Sequence, residues 1–374
     1  MTPDRRTVLT TSAAMAAMAM APRGAHGRAA KAGDDAKKLY ARAMVINGNL
    51  VPPIDPDAKM DAALTQEVRS SGLTALKATI GGSNFDYETT VAQMGEYDRA
   101  IALNPDTYMQ VRDLADLEAA KQSSRIGIIY SFEGVEMLAG KVDRIAEFRR
   151  RGVRVMQLCY NRASPFASGV MAEPPSSGLT PLGREAIARM EALGVTLDLS
   201  HADARSTADA LKAATRPALI THAGCAAVLD HPRNKADAEL RAVAETGGVV
   251  GIYELCFLSR GPAQTSVDEY LAHVSHALKV CGEDHVGFGS DALLTAFDTS
   301  PESMAAWDAD IVARRKAGIN APGEGRPPFV EGMNRADRLE VVTGELLKRG
   351  YTARTVEKML GLNFRRVLEA TWTT

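Results

Sequence analysis

The chain has 374 residues, of which 45% are hydrophobic and 24% are charged. Its formal net charge of −2 excludes the strongly basic surface of a nucleic-acid-binding protein, and the hydrophobic content excludes a disordered chain. Four cysteines in a chain of this length do not provide a disulfide framework. The composition therefore indicates a soluble globular protein with enough residues for one large domain or two ordinary ones.

The first thirty residues have the pattern of an export signal. An Arg5-Arg6 pair precedes an uncharged run rich in Ala and Met over residues 8–21. The run is too short to span a bilayer, which takes about 20 apolar residues, but it suits the apolar region of a signal peptide. We predict that residues 1–30 are a twin-arginine signal, with an ordinary secretory signal or a transit peptide as the alternative. The mature protein is then expected in the periplasm, without a transmembrane segment.

From residue 44 onward, short apolar runs alternate with segments of helical periodicity. The apolar runs lack strict alternation, as expected for parallel strands that are covered on both faces. Eight such strands joined by helices favour a (β/α)8 barrel of the TIM type over a doubly wound sheet, whose glycine-rich dinucleotide fingerprint is absent. The predicted strands are Met44–Ile46, Thr74–Ile80, Ile126–Tyr130, Arg154–Cys159, Val195–Leu199, Ala218–Thr221, Gly248–Ile252 and Val286–Gly289.

The intervals between the strands carry helical patterns, several of which end at a glycine suited to a left-handed C-cap. A stretch rich in Pro and Gly at about 292–332 is predicted to be an insertion over one mouth of the barrel. With two closing helices, residues 31–374 are predicted to form a single domain. The predicted helices are Ala62–Ser71, Thr90–Leu103, Lys141–Arg151, Pro181–Leu193, Ser206–Ala214, Asp237–Thr246, Val267–Cys281, Asn334–Arg349 and Thr355–Thr371.

Polar residues follow six of the eight predicted strands. The carboxyl ends of the strands in a TIM barrel meet at one face, where reactive residues gather. Two histidines and two carboxylates at that face suit a divalent metal ion, most naturally zinc. Any one of these histidines could instead be a hydrogen-bonded core residue, and the glutamate could cap a turn. The residues are Asn49, Glu133, Tyr160, Asn161, His201, His222 and Asp291.

Three cysteines, Cys159, Cys225 and Cys256, also lie at or shortly after predicted strand ends. Three thiols near a metal could form a soft-metal or redox site. More often such residues are small buried side chains, or two of them pair in an oxidising compartment. The sequence leaves their roles open.

Several motifs, taken in order, resemble the membrane (renal) dipeptidase family of metallopeptidases over nearly the whole mature chain. The resemblance implies a (β/α)8 barrel with two zinc ions at the strand ends, hydrolysis of dipeptides, and a homodimer. The matching segments are Phe132-Glu133-Gly134, Asp198-Leu199-Ser200-His201, Ile220-Thr221-His222, His231-Pro232-Arg233-Asn234, Gly247–Gly251, Asp284–Asp291 and Gly361–Val367.

The resemblance also implies a role for each motif residue. Glu133 corresponds to the carboxylate that bridges the two metals, and His201 and His222 correspond to the histidines of one metal. Asp291 matches the acid that transfers a proton to the departing amine. Arg233 matches the arginine that binds the terminal carboxylate of the substrate, a role that its planar guanidinium suits, with a surface ion pair as the alternative.

Two departures from the family pattern affect the metal site. The family has a His-x-Asp pair on its first strand, where this chain has Asn49-Leu50-Val51. After the fourth strand the family has Thr-His, where this chain has Cys159-Tyr160. Valine cannot coordinate a metal and an amide is a weak ligand, so we predict one zinc per chain, bound by Glu133, His201 and His222.

The sequence therefore predicts a zinc-dependent hydrolase of dipeptides or of a related small amide, with Asp291 and Glu133 as catalytic residues. Two other functions stay open. One is a periplasmic tailoring enzyme for a peptide-derived metabolite, and the other is a non-catalytic protein that binds a small molecule on the same scaffold. The residues predicted to contact the substrate are Arg233, Tyr160, Asn161 and Asn49.

Overall fold

Eight parallel strands form a ring in which the order along the chain is also the order around the ring. The first and last strands pair through Asn47 and Phe288, and a bridge between Asp198 and Leu219 joins the fifth strand to the sixth. The predicted (β/α)8 barrel is therefore confirmed. The strands are β1 (Ile46–Asn47), β2 (Ala75–Thr79), β3 (Ile126–Glu133), β4 (Val153–Gln157), β5 (Thr196–Leu197), β6 (Leu219–Cys225), β7 (Val249–Ile252) and β8 (Val286–Phe288).

This computed structural model describes residues 23–82, 85–173 and 175–372. Most of the predicted signal peptide falls outside these ranges, and the first helix within them begins at Arg23. Within the described ranges, no helix is both long enough and apolar enough to cross a lipid bilayer.

Helices cover the outside of the ring, and most begin where the sequence offers a side-chain cap. Asp61 and Asp203, for example, each accept a hydrogen bond from the backbone N–H three residues further on, which satisfies a donor that the first helical turn leaves free. The helices are α1 (Arg23–Arg42), α2 (Ala62–Ser70), α3 (Tyr87–Leu103), α4 (Leu114–Ser123), α5 (Arg144–Arg150), α6 (Pro181–Ala192), α7 (Ala204–Ala213), α8 (Asp237–Glu245), α9 (Val267–Cys281), α10 (Pro301–Ala317), α11 (Arg338–Lys348), α12 (Ala353–Glu357) and α13 (Asn363–Thr371).

Short strands outside the ring were not predicted. Tyr108–Gln110 pairs with the first half of β3 and leaves its second half to β4. Leu50–Val51 and Ala292–Leu293 pair with each other beyond the ends of β1 and β8, and Asn234–Lys235 pairs with the end of β6. The pairs beyond β1, β8 and β6 extend the barrel wall on the side where the predicted site residues lie.

Two predicted segments differ in detail from the structure. The Pro- and Gly-rich segment 292–332 contains the 17-residue helix α10, which begins at Pro301 after a Ser300 cap. The single closing helix predicted over Thr355–Thr371 is divided by a π-helical turn, Lys358–Leu362. A side chain at Gly361 in this turn would place its β-carbon 2.3 Å from the Met44 carbonyl oxygen, so the helix can cross the start of β1 only with glycine there.

The alternation of side chains along the strands separates two apolar cores. Inside the ring, Ala75 and Ile129 belong to a core that Phe364 of α13 closes at the amino-terminal end. Leu76 and Ile128 face outward into the larger core beneath the helices. Because side chains two positions apart share a face of a strand, residues 77 and 79 of β2 and residues 131 and 133 of β3 point into the barrel. Polar side chains at these positions form part of the site described below.

Candidate metal centre

Glu133, His201 and His222 come together at the carboxyl ends of three strands. The Nε2 atoms of the two histidines are 3.1 Å apart. The oxygens of Glu133 lie 3.7 Å from Nε2 of His201 and 3.8 Å from Nε2 of His222. Two ligand atoms that share one tetrahedral zinc ion at 2.0–2.1 Å are about 3.4 Å apart. The three predicted ligands are therefore placed as a single ion requires.

Hydrogen bonds on the far side of each imidazole assign its tautomer. Nδ1 of His201 lies 2.8 Å from Oδ1 of Asn161, an oxygen that can only accept a hydrogen bond. Nδ1 of His222 lies 2.9 Å from Oγ1 of Thr221, whose own proton is donated to Asp198 at 2.6 Å. Both rings therefore carry their proton on Nδ1, and the two Nε2 lone pairs face each other. Supporting contacts of this kind orient the histidines of metal sites.

The charge state of the two imidazoles also fits a metal ion. Burial lowers the pKa of His201 and His222 well below their ordinary values, and the Arg233 guanidinium lowers each pKa further. A neutral imidazole is the form that coordinates a metal. Nη2 of Arg233 lies 3.1 Å from Nε2 of His201, so Arg233 and a cation compete for the same lone pair. Two neutral imidazoles beside a carboxylate are the donor set that a divalent ion prefers here.

Oε1 of Glu133 is surrounded by proton donors. Nδ2 of Asn49 and Oγ1 of Thr79 each lie 2.8 Å from Oε1, and Nζ of Lys77 lies 3.4 Å from it. The amide nitrogen of Asn49 and the ammonium of Lys77 have no lone pair with which to bind a cation, so of these three donor atoms only the Thr79 hydroxyl oxygen could do so. Val51, which stands where the family has a metal-binding aspartate, is half exposed at the rim of the cavity. The number of metal ions that the site binds stays a prediction.

Asp291 follows β8 with a left-handed backbone conformation, φ 53°. Its N–H donates to the carbonyl oxygen of Asn49 at 2.8 Å, and its Oδ1 accepts from Nδ2 of Asn49 at 2.8 Å. Burial, together with the negative charge of Glu133, raises the pKa of Asp291 to about 7. A carboxyl group that titrates near neutrality can both accept and return a proton, which is what the role predicted for Asp291 requires.

A cavity of about 300 Å³ lies against this group and is walled by both the barrel and the insertion. Tyr160 stacks on His201 with ring centroids 4.2 Å apart. Asn161, which supports His201, also donates from its side chain to the Ile319 carbonyl oxygen of the insertion at 2.9 Å. Arg233 lines the cavity, but it is almost fully buried and donates to the Ser200 carbonyl oxygen at 2.7 Å. Every predicted substrate-contacting residue therefore lies at or beside this cavity.

Arg314 of α10 is a cation of the cavity wall that was not predicted from the sequence. Its Nε lies 2.6 Å from Oε1 of Glu324, and its Nη2 lies 3.4 Å from the Tyr160 hydroxyl. Both Arg314 and Glu324 belong to the insertion, whose sequence has no strand register from which the position of a side chain could be predicted. Lys77 and Thr79 were missed for another reason, since only residues just beyond the strand ends were considered. The signal in the sequence that could have identified Lys77 is the presence of a lysine inside an otherwise apolar predicted strand.

All four cysteines are buried and unpaired, so the predicted alternative of a disulfide is wrong. Burial raises the pKa of the Cys159 thiol to about 12 and raises the pKa of the Cys225 thiol as well. The Cys256 thiol is directed at the Gly323 carbonyl oxygen, 3.7 Å away. None of the cysteines belongs to the group of metal ligands, and protonated, buried thiols fit the interpretation as small core side chains.

Comparison with known proteins finds similarity over most of the chain. Residues 55–307 match the family model described as membrane dipeptidase (peptidase family M19). An uncharacterized protein in the pqqA 5′ region of Klebsiella pneumoniae is 30% identical over 267 residues, which cover 69% of this chain and 87% of that protein. Dipeptidase tcpJ of Claviceps purpurea is 26% identical over 281 residues, covering 75% of this chain and 59% of that protein.

Among solved structures, an amidohydrolase from Pseudomonas aeruginosa superposes with a TM-score of 0.78 at 28% sequence identity. The superposition covers 90% of this chain and 99% of that one. The chain thus matches one bacterial structure over nearly its full length, and it spans little more than half of the fungal dipeptidase.

Proposed function

Because this chain belongs to the membrane dipeptidase family, peptidase family M19, we propose that it is a metal-dependent hydrolase of dipeptides or of a related small amide. The observation that carries the proposal is the group formed by Glu133, His201 and His222, whose ligand atoms are spaced for one divalent ion. We propose zinc as that ion, since two imidazoles and a glutamate are a known ligand set of catalytic zinc.

The residues around the ligands supply the remaining chemistry. A bound divalent ion would polarise the scissile carbonyl and lower the pKa of a water molecule. Asp291 accepts a proton from the nucleophile and returns it to the leaving amine, and its Oδ1 is held in place by Nδ2 of Asn49 at 2.8 Å. Burial raises the pKa of Tyr160, so its hydroxyl stays protonated and can donate to the developing oxyanion. Arg233 and Arg314 offer guanidinium groups for a substrate carboxylate.

Metal analysis combined with assays of a dipeptide panel tests this function. The panel contains L-L, L-D and dehydro dipeptides, and each is assayed with added zinc, after chelation, and after zinc is restored. We expect one zinc ion per chain and hydrolysis of at least one class, which chelation abolishes and zinc restores. A protein that retains no metal and hydrolyses none of these substrates would contradict the proposal.

A second candidate function is a tailoring reaction on a peptide-derived metabolite, or binding of such a molecule without catalysis. The donors of Asn49, Lys77 and Thr79 around Glu133 favour this candidate, because they occupy the side of the carboxylate that a second metal would need. The candidate predicts thermal stabilisation by a peptide-derived ligand without turnover of ordinary dipeptides.

We also propose that the chain is exported to the periplasm by a twin-arginine signal and acts as a homodimer. The support for export is the Arg5-Arg6 pair followed by the uncharged run of residues 8–21, and the support for the dimer is the family resemblance. Replacing both arginines by lysine should retain the protein in the cytoplasm. Light scattering of the purified mature chain should give twice the mass of one chain.

A further inference from the structure

Lys77 is a buried lysine inside the barrel, with only 2% of its surface exposed. Its Nζ lies 3.4 Å from Oε1 of Glu133, 3.2 Å from Oγ of Ser131 and 3.9 Å from Oδ2 of Asp198. A buried ammonium is costly unless carboxylates and hydrogen-bond acceptors surround it. The carboxylates here are the predicted metal ligand Glu133 and Asp198, which supports His222 through Thr221.

We propose that Lys77 takes the place of the second metal ion of a two-metal site. Its ammonium supplies positive charge on one side of Glu133 and holds that carboxylate toward His201 and His222, so that the site binds a single ion. Lys77 is thus a positioning residue. The inference rests on the proposed function and extends it by naming the group that determines how many ions the site holds.

The two oxygens of Glu133 have different surroundings, and this difference is the first argument. Oε1 lies within hydrogen-bond distance of Asn49, Thr79 and Lys77, at 2.8, 2.8 and 3.4 Å respectively. Oε2 faces Nε2 of His201 at 3.7 Å, and Oε1, besides its three donors, lies 3.8 Å from Nε2 of His222. A carboxylate oxygen has two lone pairs, so a second cation could use Oε1 only by displacing donors that the chain itself supplies.

The balance of charge is the second argument. The buried acidic groups that contact the ligands or their partners are Glu133, Asp198 and Asp291, and the cations that contact the ligands are Lys77 and Arg233. Lys235 also acts on both histidines, but its charge is balanced by Glu239, 3.3 Å away. With all three carboxyls ionised, this set carries one net negative charge, which a single divalent ion changes to one positive charge. A second divalent ion would leave an excess of three positive charges in a buried site, where repulsion between like charges is screened weakly.

The test restores the missing ligands with and without the lysine. Asn49→His with Val51→Asp introduces the His-x-Asp pair, and Lys77→Met then removes the ammonium with little change in side-chain volume. Each protein is titrated with Zn²⁺, and native mass spectrometry counts the bound ions. A second titration with Co²⁺ follows the d–d absorption band of the bound ion. We expect saturation at one ion in the wild type, at one ion in the double variant and at two ions in the triple variant.

A matched control replaces Lys121, a partly buried lysine whose Nζ donates to the Ala41 carbonyl oxygen at 2.9 Å, away from the site. Adding Lys121→Met to the double variant should leave saturation at one ion. Circular dichroism and thermal unfolding check that each variant is folded. Should the triple variant not fold, Lys77→Gln in the same background removes the charge while keeping a polar side chain, and it should also bind two ions.

Three outcomes would overturn the inference. The first is that the double variant, which keeps Lys77, saturates at two metal ions. The second is that the Lys77→Met and Lys77→Gln variants of the double variant both fold but saturate at one ion. The third is that the wild type hydrolyses dipeptides and saturates at two ions. The last outcome would leave the proposed hydrolase intact. A wild type that binds no ion and hydrolyses nothing would instead overturn the proposed function, and this inference with it.

Discussion

The Nε2 atoms of His201 and His222 face each other at 3.1 Å, and neither carries a proton, because each Nδ1 donates to an acceptor on the opposite side of its ring. Two buried lone pairs at this distance repel each other unless a cation or a donor lies against them. Arg233 provides a donor to one of the two nitrogens. A divalent ion would satisfy both nitrogens together with Glu133, so the predictions below begin with these two histidines.

Replacing His201 or His222 by alanine should strongly reduce zinc affinity. Zinc sites with four ligands bind with about 10–16 kcal/mol, so losing one ligand is expected to weaken binding by about 100- to 1,000-fold. Competition with a chromophoric chelator measures the affinity. His276→Ala is the control, because its Nε2 contacts Asp237 at 2.7 Å and is remote from the site. Wild-type affinity in both site variants would show that the ligands are assigned incorrectly.

Thr221→Val should weaken metal binding without removing a ligand. The valine keeps the shape of the side chain, but it removes the acceptor of His222 Nδ1 and the donor to Asp198. Removing such supporting contacts typically costs about 10- to 100-fold in metal affinity. Thr343→Val is the matched control, since this buried threonine donates to the Leu339 carbonyl oxygen within α11. Equal loss of zinc affinity in the two variants would mean that the effect is general destabilisation.

The barrel and the three ligands could be predicted from the sequence because both are expressed in local patterns. The strands predicted from the sequence are short and mostly apolar runs, and His201 and His222 follow two of these predicted runs in recognisable motifs. Once the strands are placed, the geometry of a parallel barrel brings the ends of all its strands to one face. The ligand positions then follow without knowledge of any loop.

The partners of these ligands could not be predicted in the same way. Lys77 and Thr79 face the inside of the barrel only because β2 and β3 pair in register, with Thr79 opposite Ser131, and the register depends on tertiary structure. Arg314 reaches the cavity from a helix in an insertion whose path depends on contacts with the rest of the chain. Side-chain placement of this kind is a property of the packed structure.

Arg314→Gln should raise the KM for substrates that carry a free carboxylate. Arg314 lines the cavity beside Tyr160, with its Nε paired to Glu324 and its Nη2 3.4 Å from the Tyr160 hydroxyl. In Arg233, by contrast, Nη1 contacts the Ser200 carbonyl oxygen and Nη2 contacts His201. A hydrogen bond to a charged group contributes about 1.5–3 kcal/mol, which corresponds to an increase in KM of about 10- to 100-fold. The value of kcat should change much less, because Arg314 does not touch the metal ligands.

A dipeptide whose carboxyl group is converted to an amide provides the control for this prediction. Its KM should be nearly the same in wild type and in Arg314→Gln, since it has no charge for the guanidinium to bind. If the variant leaves the KM of the free dipeptide unchanged, the carboxylate is bound elsewhere, and Arg233 becomes the residue to test.

Asp291→Asn should make the metal-free protein more stable at neutral pH than the wild type. The folded state raises the pKa of Asp291 to about 7, compared with about 3.9 for an exposed aspartate. Between these values the folded protein binds more protons than the unfolded chain, so the free energy of unfolding falls as pH rises. Three pKa units correspond to at most about 4 kcal/mol. The asparagine oxygen can still accept the hydrogen bond from Asn49.

The measurement is urea denaturation of zinc-depleted wild type and Asp291→Asn at pH values from 4 to 8. The difference in unfolding free energy should be smallest near pH 4, should grow in favour of the variant up to about pH 7, and should then level off. Glu136, whose pKa burial also raises to about 7, contributes equally to both proteins and cancels in the difference. A difference that does not vary with pH would show that the Asp291 carboxyl titrates in the folded protein as it does in the unfolded chain.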